Sequence, residues 1–213
     1  MLVHGRESGM DERVSKKSNS LYAFKNVQVS RLPPLPEPLD PVIEQLFEDT
    51  ISRGGHILNL HLTKAHAPKL SQAGRGFSRA LRSECVSPRL LREIAIVRVS
   101  IIVGCAYETH HHHPLLLQAG GSEAQFQALK DWRPQSHLFD EPQCALLAYV
   151  DCLGLNKGEV DDATFAAMEK HFSPREILEL TLCATYYYGS GLCMKALKIE
   201  VDHDHKKAAP GKF

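Results

Sequence analysis

The chain has 213 residues and a mass of 23.8 kDa, with 25 basic and 25 acidic side chains, a length suited to one domain of moderate size with tails. Balanced charge without an aromatic-laced basic run excludes the electrostatic footprint of a nucleic-acid binder, and the longest apolar stretch, Ile94 to Ala106, is interrupted by Arg98 and too short to span a membrane. The six cysteines (Cys85, Cys105, Cys144, Cys152, Cys183 and Cys193) include no pair at Cys-x-x-Cys or zinc-knuckle spacing, and MLVHGRESGMDERVSKKSNS lacks the apolar core of a signal peptide, so a reducing, cytoplasmic setting is expected.

Residues 1–29 are polar and without a sustained period, which predicts a mobile arm. RLPPLPEPLDP follows as an extended strap, because its prolines forbid a regular helix while Leu32, Leu35 and Leu39 can lie on a core or a neighbouring subunit. Asp40 and Pro41 form an N-cap and first-turn pair opening a helix through Val42, Ile43, Leu46 and Phe47, which Gly54 and Gly55 end. Helices are then expected at Leu58 to Ala65 and Lys69 to Leu81, with a break at His66-Ala67-Pro68. Ser87-Pro88 opens a central helix that runs to Gly104, and Cys105 to Gln118 forms the next.

Gly120 and Gly121 stop that helix, and Ser122 caps another from Glu123 to Trp132. After a turn over Arg133 to Asp140, helices are expected at Glu141 to Leu153, Asp161 to His171, Ser173 to Tyr188 and Gly191 to Ile199. The tail from His203 to Phe213 is polar and expected to be loose. No segment alternates with period two long enough for a strand, so the fold class is all-α, with one helical domain over residues 30–202.

The chemistry concentrates in REIAIVRVSIIVGCAYETHHHH, Arg92 to His113. At roughly 100° per residue, Cys105, Glu108 and His112 project from one side of a helix. Glu93 lies twelve residues before Cys105 in a helix apolar almost all round, so its carboxylate must be paired or carry a raised pKa. Glu108 and His112, four apart, can hydrogen-bond and orient a proton-transfer group. Cys105 follows a glycine at a helix N-terminus, where the dipole and free N–H groups favour thiolate, although a buried free cysteine is often only a small hydrophobe. Tyr107 either donates to a carbonyl oxygen or packs in the core.

The pattern E…G-C-x-Y-[CE]-x-x-x-H after an R-E-[LI]-A-I-[LV]-R-V helix resembles the carboxymuconolactone decarboxylase-like superfamily, which includes the alkyl hydroperoxidase D proteins. The resemblance covers roughly residues 32–202 and implies a multi-helix fold assembled as trimers or hexamers. In the hydroperoxidase branch, it implies a Cys-x-x-Cys redox pair with an upstream Glu and a downstream His as proton relay. Glu93 matches that Glu, Cys105 the first Cys and His112 the His. Glu108 stands where the second Cys would be, so the chain reads closer to the G-C-x-Y-E-W-x-x-H variant, with Thr109 in place of Trp.

The four histidines at 110–113 cannot all reach one ion, because consecutive helical residues point in different directions. His110 and His113 lie on neighbouring turns, yet no dedicated metal site and no cofactor are expected. His203 and His205 in the tail would bind metal only adventitiously. His56, His61 and His66 are candidates to line a cavity, with His66 favoured because relatives often carry His-x-Pro there, although local capping is the simpler role. Tyr186, Tyr187 and Tyr188 mark a subunit interface or pocket wall.

Three functions remain open: a cofactor-free enzyme using Glu93, Glu108 and His112 for acid–base decarboxylation or isomerisation of a small carbonyl or lactone acid; a peroxidase with Cys105 as its single reactive thiol and an external thiol as resolving partner; and a non-catalytic helical oligomer that binds a small ligand.

Overall fold

The computed structural model describes residues 27–202, so the expected N-terminal arm lies almost wholly outside the described residues, as do the tail and its histidines His203 and His205. Every regular element among the described residues is helical, as the sequence predicts. No helix among them is long and apolar enough to cross a membrane.

The described chain divides into two compact units, one ending at Gly74 and one spanning Arg75–Asp202. In the first, α1 (Pro41–Ser52) begins where Asp40 Oδ1 accepts the Val42 N–H at 2.8 Å, and α2 (Asn59–Lys64) follows. The buried faces of Ile43, Phe47, Ile57, Leu62 and Ala65 form its core with Val29, and the strap's Leu35 and Leu39 pack against them. His61 Nδ1 accepts the Leu58 N–H at 3.1 Å and His66 Nε2 lies 3.0 Å from the Pro33 carbonyl, so both serve nearby backbone. Helix α3 (Pro68–Ser83) runs across the boundary between the units.

The second unit is organised around α4 (Arg89–Val103), which packs against α5 (Ala106–Gln118), α7 (Glu141–Leu155) and α9 (Pro174–Leu197). Apolar side chains all round α4 let it be covered on all sides: Ala95 and Val99 join Leu146, Val150, Leu180 and Ala184 in one cluster, while Ile94 and Val97 join Leu116, Leu129, Trp132 and Leu147 in another. Each such fully buried aliphatic side chain contributes about 1.5–3 kcal/mol relative to exposure. Between these clusters lies Arg98, whose Nε donates to Asp151 Oδ1 at 2.7 Å and whose Nη1 donates to the carbonyls of Leu129 and Lys130. Asp151 also accepts Trp132 Nε1 at 3.0 Å, so the buried charge is paired on every side.

Two segments differ from expectation. Helix α6 (Glu123–Ala128) stops before Trp132, and the expected turn holds a 3-10 helix at Arg133–Leu138 before α7; α8 (Asp162–His171) follows as predicted. The two expected C-terminal helices are one continuous helix, α9. Gly191, expected to open a new helix, lies inside this one: a Cβ there would meet Cys105 Cβ and Val103 Cγ1 at 3.3 Å, so the glycine permits close approach of α9 to the α4–α5 junction. Glu179 on α9 accepts the N–H groups of Ser87 at 2.8 Å and Val86 at 3.2 Å just before α4. Burial alone would raise its carboxyl pKa, but these amides hold it down, to about 2.

Candidate active site

The sharp joint between α4 and α5 sets the site. Gly104 adopts φ +71°, a left-handed conformation that side chains with a Cβ rarely take. Its N–H bonds to the Ile101 carbonyl while the Cys105 N–H reaches the Ser100 carbonyl at 2.8 Å, closing α4 in the manner of a Schellman motif. Lys195 Nζ on α9 donates to the Val103 carbonyl at 2.5 Å, placing a cation on the same helix end. The chain then reverses, and α5 returns along α4 so that His112 comes back to the level of Glu93.

Glu93, His112 and Glu108 meet there. His112 Nδ1 lies 2.7 Å from Glu93 Oε2, and His112 Nε2 lies 3.4 Å from Glu108 Oε2. Glu93 is fully buried, Glu108 is 4% exposed and His112 6%. Burial alone would push the imidazole pKa down, but its hydrogen bonds to Glu108 and Glu93, together with their charges, raise it to about 9. His112 is therefore an imidazolium at neutral pH, able to donate from both ring nitrogens. Tyr187 closes the ring's flank in an edge contact with centroids 4.8 Å apart.

Arg89, which the sequence reading passed over, completes the charge balance. Its Nη2 lies 2.5 Å from Glu93 Oε1, an ion-pair approach without an aligned hydrogen bond, and its side chain is 32% exposed. Its position four residues before Glu93 on a helix is a signal that could have found it. Two carboxylates, one imidazolium and one guanidinium leave the cluster formally neutral, which is how four ionisable groups can share a buried site.

Cys105 lies at the N-cap of α5 and is 2% exposed. Here the expected thiolate is corrected. Burial raises the thiol pKa, the Glu108 charge adds to that, and the opposing pull of the Glu108 and Tyr107 amides and of Lys195 is too weak to reverse it. The Tyr107 hydroxyl donates to Asp202 Oδ2 at 2.6 Å, and its ring stacks on His111, whose Nε2 lies 3.2 Å from the same oxygen. A phenol proton held by a buried carboxylate is not poised for a carbonyl oxygen. Asp202, ninety-five residues downstream of Tyr107, gave no local signal in the sequence. His113 stacks on Phe126 and lies 2.7 Å from Glu123, and no group of three or more His, Cys, Asp or Glu side chains among the described residues could hold a metal ion. The half-buried Tyr186 rests against Phe77, so the tyrosine run is in part the wall of the cluster and in part helix packing.

The expected resemblance is borne out by comparison with known proteins. The model of the Carboxymuconolactone decarboxylase family matches residues 68–139, a segment that includes Glu93, Cys105, Glu108 and His112. No curated protein matches the chain. Among solved structures, an uncharacterized peroxidase-related protein with an alkylhydroperoxidase AhpD core, from Ralstonia eutropha, is similar with a TM-score of 0.71 and 20% identity over 83% of this chain and 94% of that one. A putative antioxidant defence protein AhpD of unknown function from Agrobacterium tumefaciens gives 0.60 and 23% identity over 66% and 95%. The debrominase Bmp8 gives 0.66 and 18% identity over 84% and 94%, and a cysteine-to-alanine variant of it has been solved with 2,3,4-tribromopyrrole. At these identities the likeness is one of fold.

Proposed function

We propose that this chain, whose residues 68–139 match the Carboxymuconolactone decarboxylase family within an AhpD-like helical fold, is a cofactor-free acid–base enzyme acting on a small carbonyl or lactone acid. The observation that carries the reading is His112 held between Glu93 and Glu108 in a buried, charge-balanced cluster. Glu108 is the general base or acid at carbon. His112, positively charged and paired to both carboxylates, supplies and recovers the proton, while Glu93 and Arg89 fix its ring and charge. In decarboxylation, the carbon–carboxylate bond breaks, CO2 departs with its carbon–oxygen bonds intact, and the electron pair left on carbon takes its proton from the Glu108–His112 pair. In isomerisation, the same pair removes a proton from one carbon and returns it to another.

The raised pKa of Cys105 favours this reading over thiol chemistry at neutral pH. Thiol-dependent peroxide reduction is the second reading, supported by the peroxidase-related and AhpD neighbours. It would use an external thiol to resolve the oxidised Cys105, since Glu108 cannot close a disulfide. The two separate by substitution. Keto and lactone acids in deuterated water are followed by NMR for exchange at carbon and for CO2 loss, and organic hydroperoxide consumption is followed with added dithiol. On the acid–base reading, Glu108→Gln and His112→Phe abolish exchange, whereas Cys105→Ser retains most of it. Loss of peroxide consumption in Cys105→Ser, with no exchange in the parent chain, would transfer the assignment to thiol chemistry.

A further inference from the structure

Among the described residues, the buried tyrosines are Tyr107, Tyr149 and Tyr187. A tyrosine hydroxyl taken out of water ordinarily finds a hydrogen-bond partner inside the protein. Tyr107 has Asp202, and the Tyr149 hydroxyl meets Thr181 Oγ1 at 2.8 Å. The Tyr187 hydroxyl has no hydrogen-bond partner among the described residues, although the residue is only 5% exposed.

This unmet donor stands beside the proton-transfer cluster. Cys183, Tyr187 and Gly191 recur every four residues along one face of α9, and Gly191 sets that face against Cys105 and Val103 at the α4–α5 joint. The Tyr187 ring thereby comes edge to face with the His112 imidazole, centroids 4.8 Å apart. Burial raises the phenol pKa well above the ordinary tyrosine value against the pull of the Arg82 charge, and the Glu108 and Glu93 charges add to the rise. The hydroxyl therefore keeps its proton at neutral pH and offers it where those charges converge.

We infer that Tyr187 is a further catalytic residue, its hydroxyl donating to the carbonyl oxygen of the substrate on which Glu108 and His112 act. The reaction rests on the acid–base reading, whereas the donor site rests on the unmet hydroxyl. As Glu108 takes a proton from carbon, the electron pair of the broken C–H bond moves toward the carbonyl, and charge gathers on its oxygen. There the Tyr187 O–H strengthens its hydrogen bond without giving up its proton. In decarboxylation of a β-oxo acid, the pair left by the broken carbon–carboxylate bond reaches the same oxygen as CO2 departs. A proton returned to carbon from the Glu108–His112 pair restores the carbonyl. The sequence offered Tyr107 for this part, but Asp202 holds that hydroxyl.

The probe is para-nitrophenol, whose phenolate is a planar, delocalised and coloured oxyanion that mimics an enolate and needs no turnover. Spectroscopic titration of the full chain and of Tyr187→Phe reads phenolate binding, and urea unfolding reads stability. The parent is expected to bind the phenolate, and Tyr187→Phe to weaken binding at least about tenfold, the loss of one hydrogen bond to a charged acceptor. The variant should be no less stable than the parent, since no hydrogen bond within the protein is removed. Keto-acid exchange, followed by NMR, should fall about a hundredfold in kcat. Equal phenolate binding by the two chains, or binding by neither, overturns the inference, as does a variant that is less stable or exchanges at the parent's rate. A parent that binds phenolate through Tyr187 yet exchanges no keto acid would uphold the donor site and remove the acid–base reading instead.

Discussion

Glu93 and His112 lie on successive helices and share a 2.7 Å hydrogen bond in the interior, although nineteen residues separate them. Neither would be stable there alone: the carboxylate lacks solvent, and the imidazole would lose its proton to burial. Together with Glu108 and Arg89 they form one buried cluster of opposite charges in which each group offsets the desolvation of the others.

Stability should therefore fall on the alkaline side. The folded-state pKa of His112, about 9, lies above the ordinary 6.5, so its contribution is complete below the lower value and is lost as pH rises through the upper one. A displacement of that size corresponds to ~3 kcal/mol. Urea unfolding between about pH 6 and pH 10 is expected to show this decline, and Glu108→Gln should flatten it. A decline of equal size in Glu108→Gln would assign the effect elsewhere.

The thiols should differ sharply in reactivity. Cys193 is exposed, whereas Cys105 is buried with a raised pKa. At neutral pH, alkylation mapped by mass spectrometry is expected to modify Cys193 at least about tenfold faster than Cys105. Faster labelling of Cys105 would show that its amide neighbours prevail over burial.

Gly104→Ala should weaken the joint between α4 and α5. The left-handed φ of +71° costs a residue with a Cβ about 1–2 kcal/mol, and the added methyl would lie 3.4 Å from Lys195 Nζ. Equilibrium unfolding reads the loss. A variant as stable as the parent would mean that the joint relaxes without strain.

Asp151→Ala should be among the most damaging single changes, because it strands Arg98 inside the unit. Removing one partner of a buried pair costs about 3–5 kcal/mol. Replacing both, Asp151→Leu with Arg98→Met, is expected to cost less than Asp151→Ala alone. A double variant less stable than the single one would show that the pair contributes more than mutual neutralisation.

Much of the fold was legible in the sequence because its signals are local. Asp40-Pro41, Ser122, Asp161 and Ser173 start helices where the spacing says they should, and the one misread boundary in α9 came from opening a new helix at Gly191, which is a contact inside a continuous one. The sequence by itself also determined that Glu108 and His112 share a helix face, since helical periodicity needs only neighbouring residues, and that Glu93, set in an apolar helix, must find a partner; Cys105, expected on the same face, is the extended N-cap residue instead. Tertiary structure alone decided which partner: the reversal at Gly104 gave Glu93 to His112, and Asp202 took the Tyr107 hydroxyl. It alone also decided the protonation of Cys105, because desolvation depends on what distant segments such as α9 lay over a group, and no spacing along the chain encodes that.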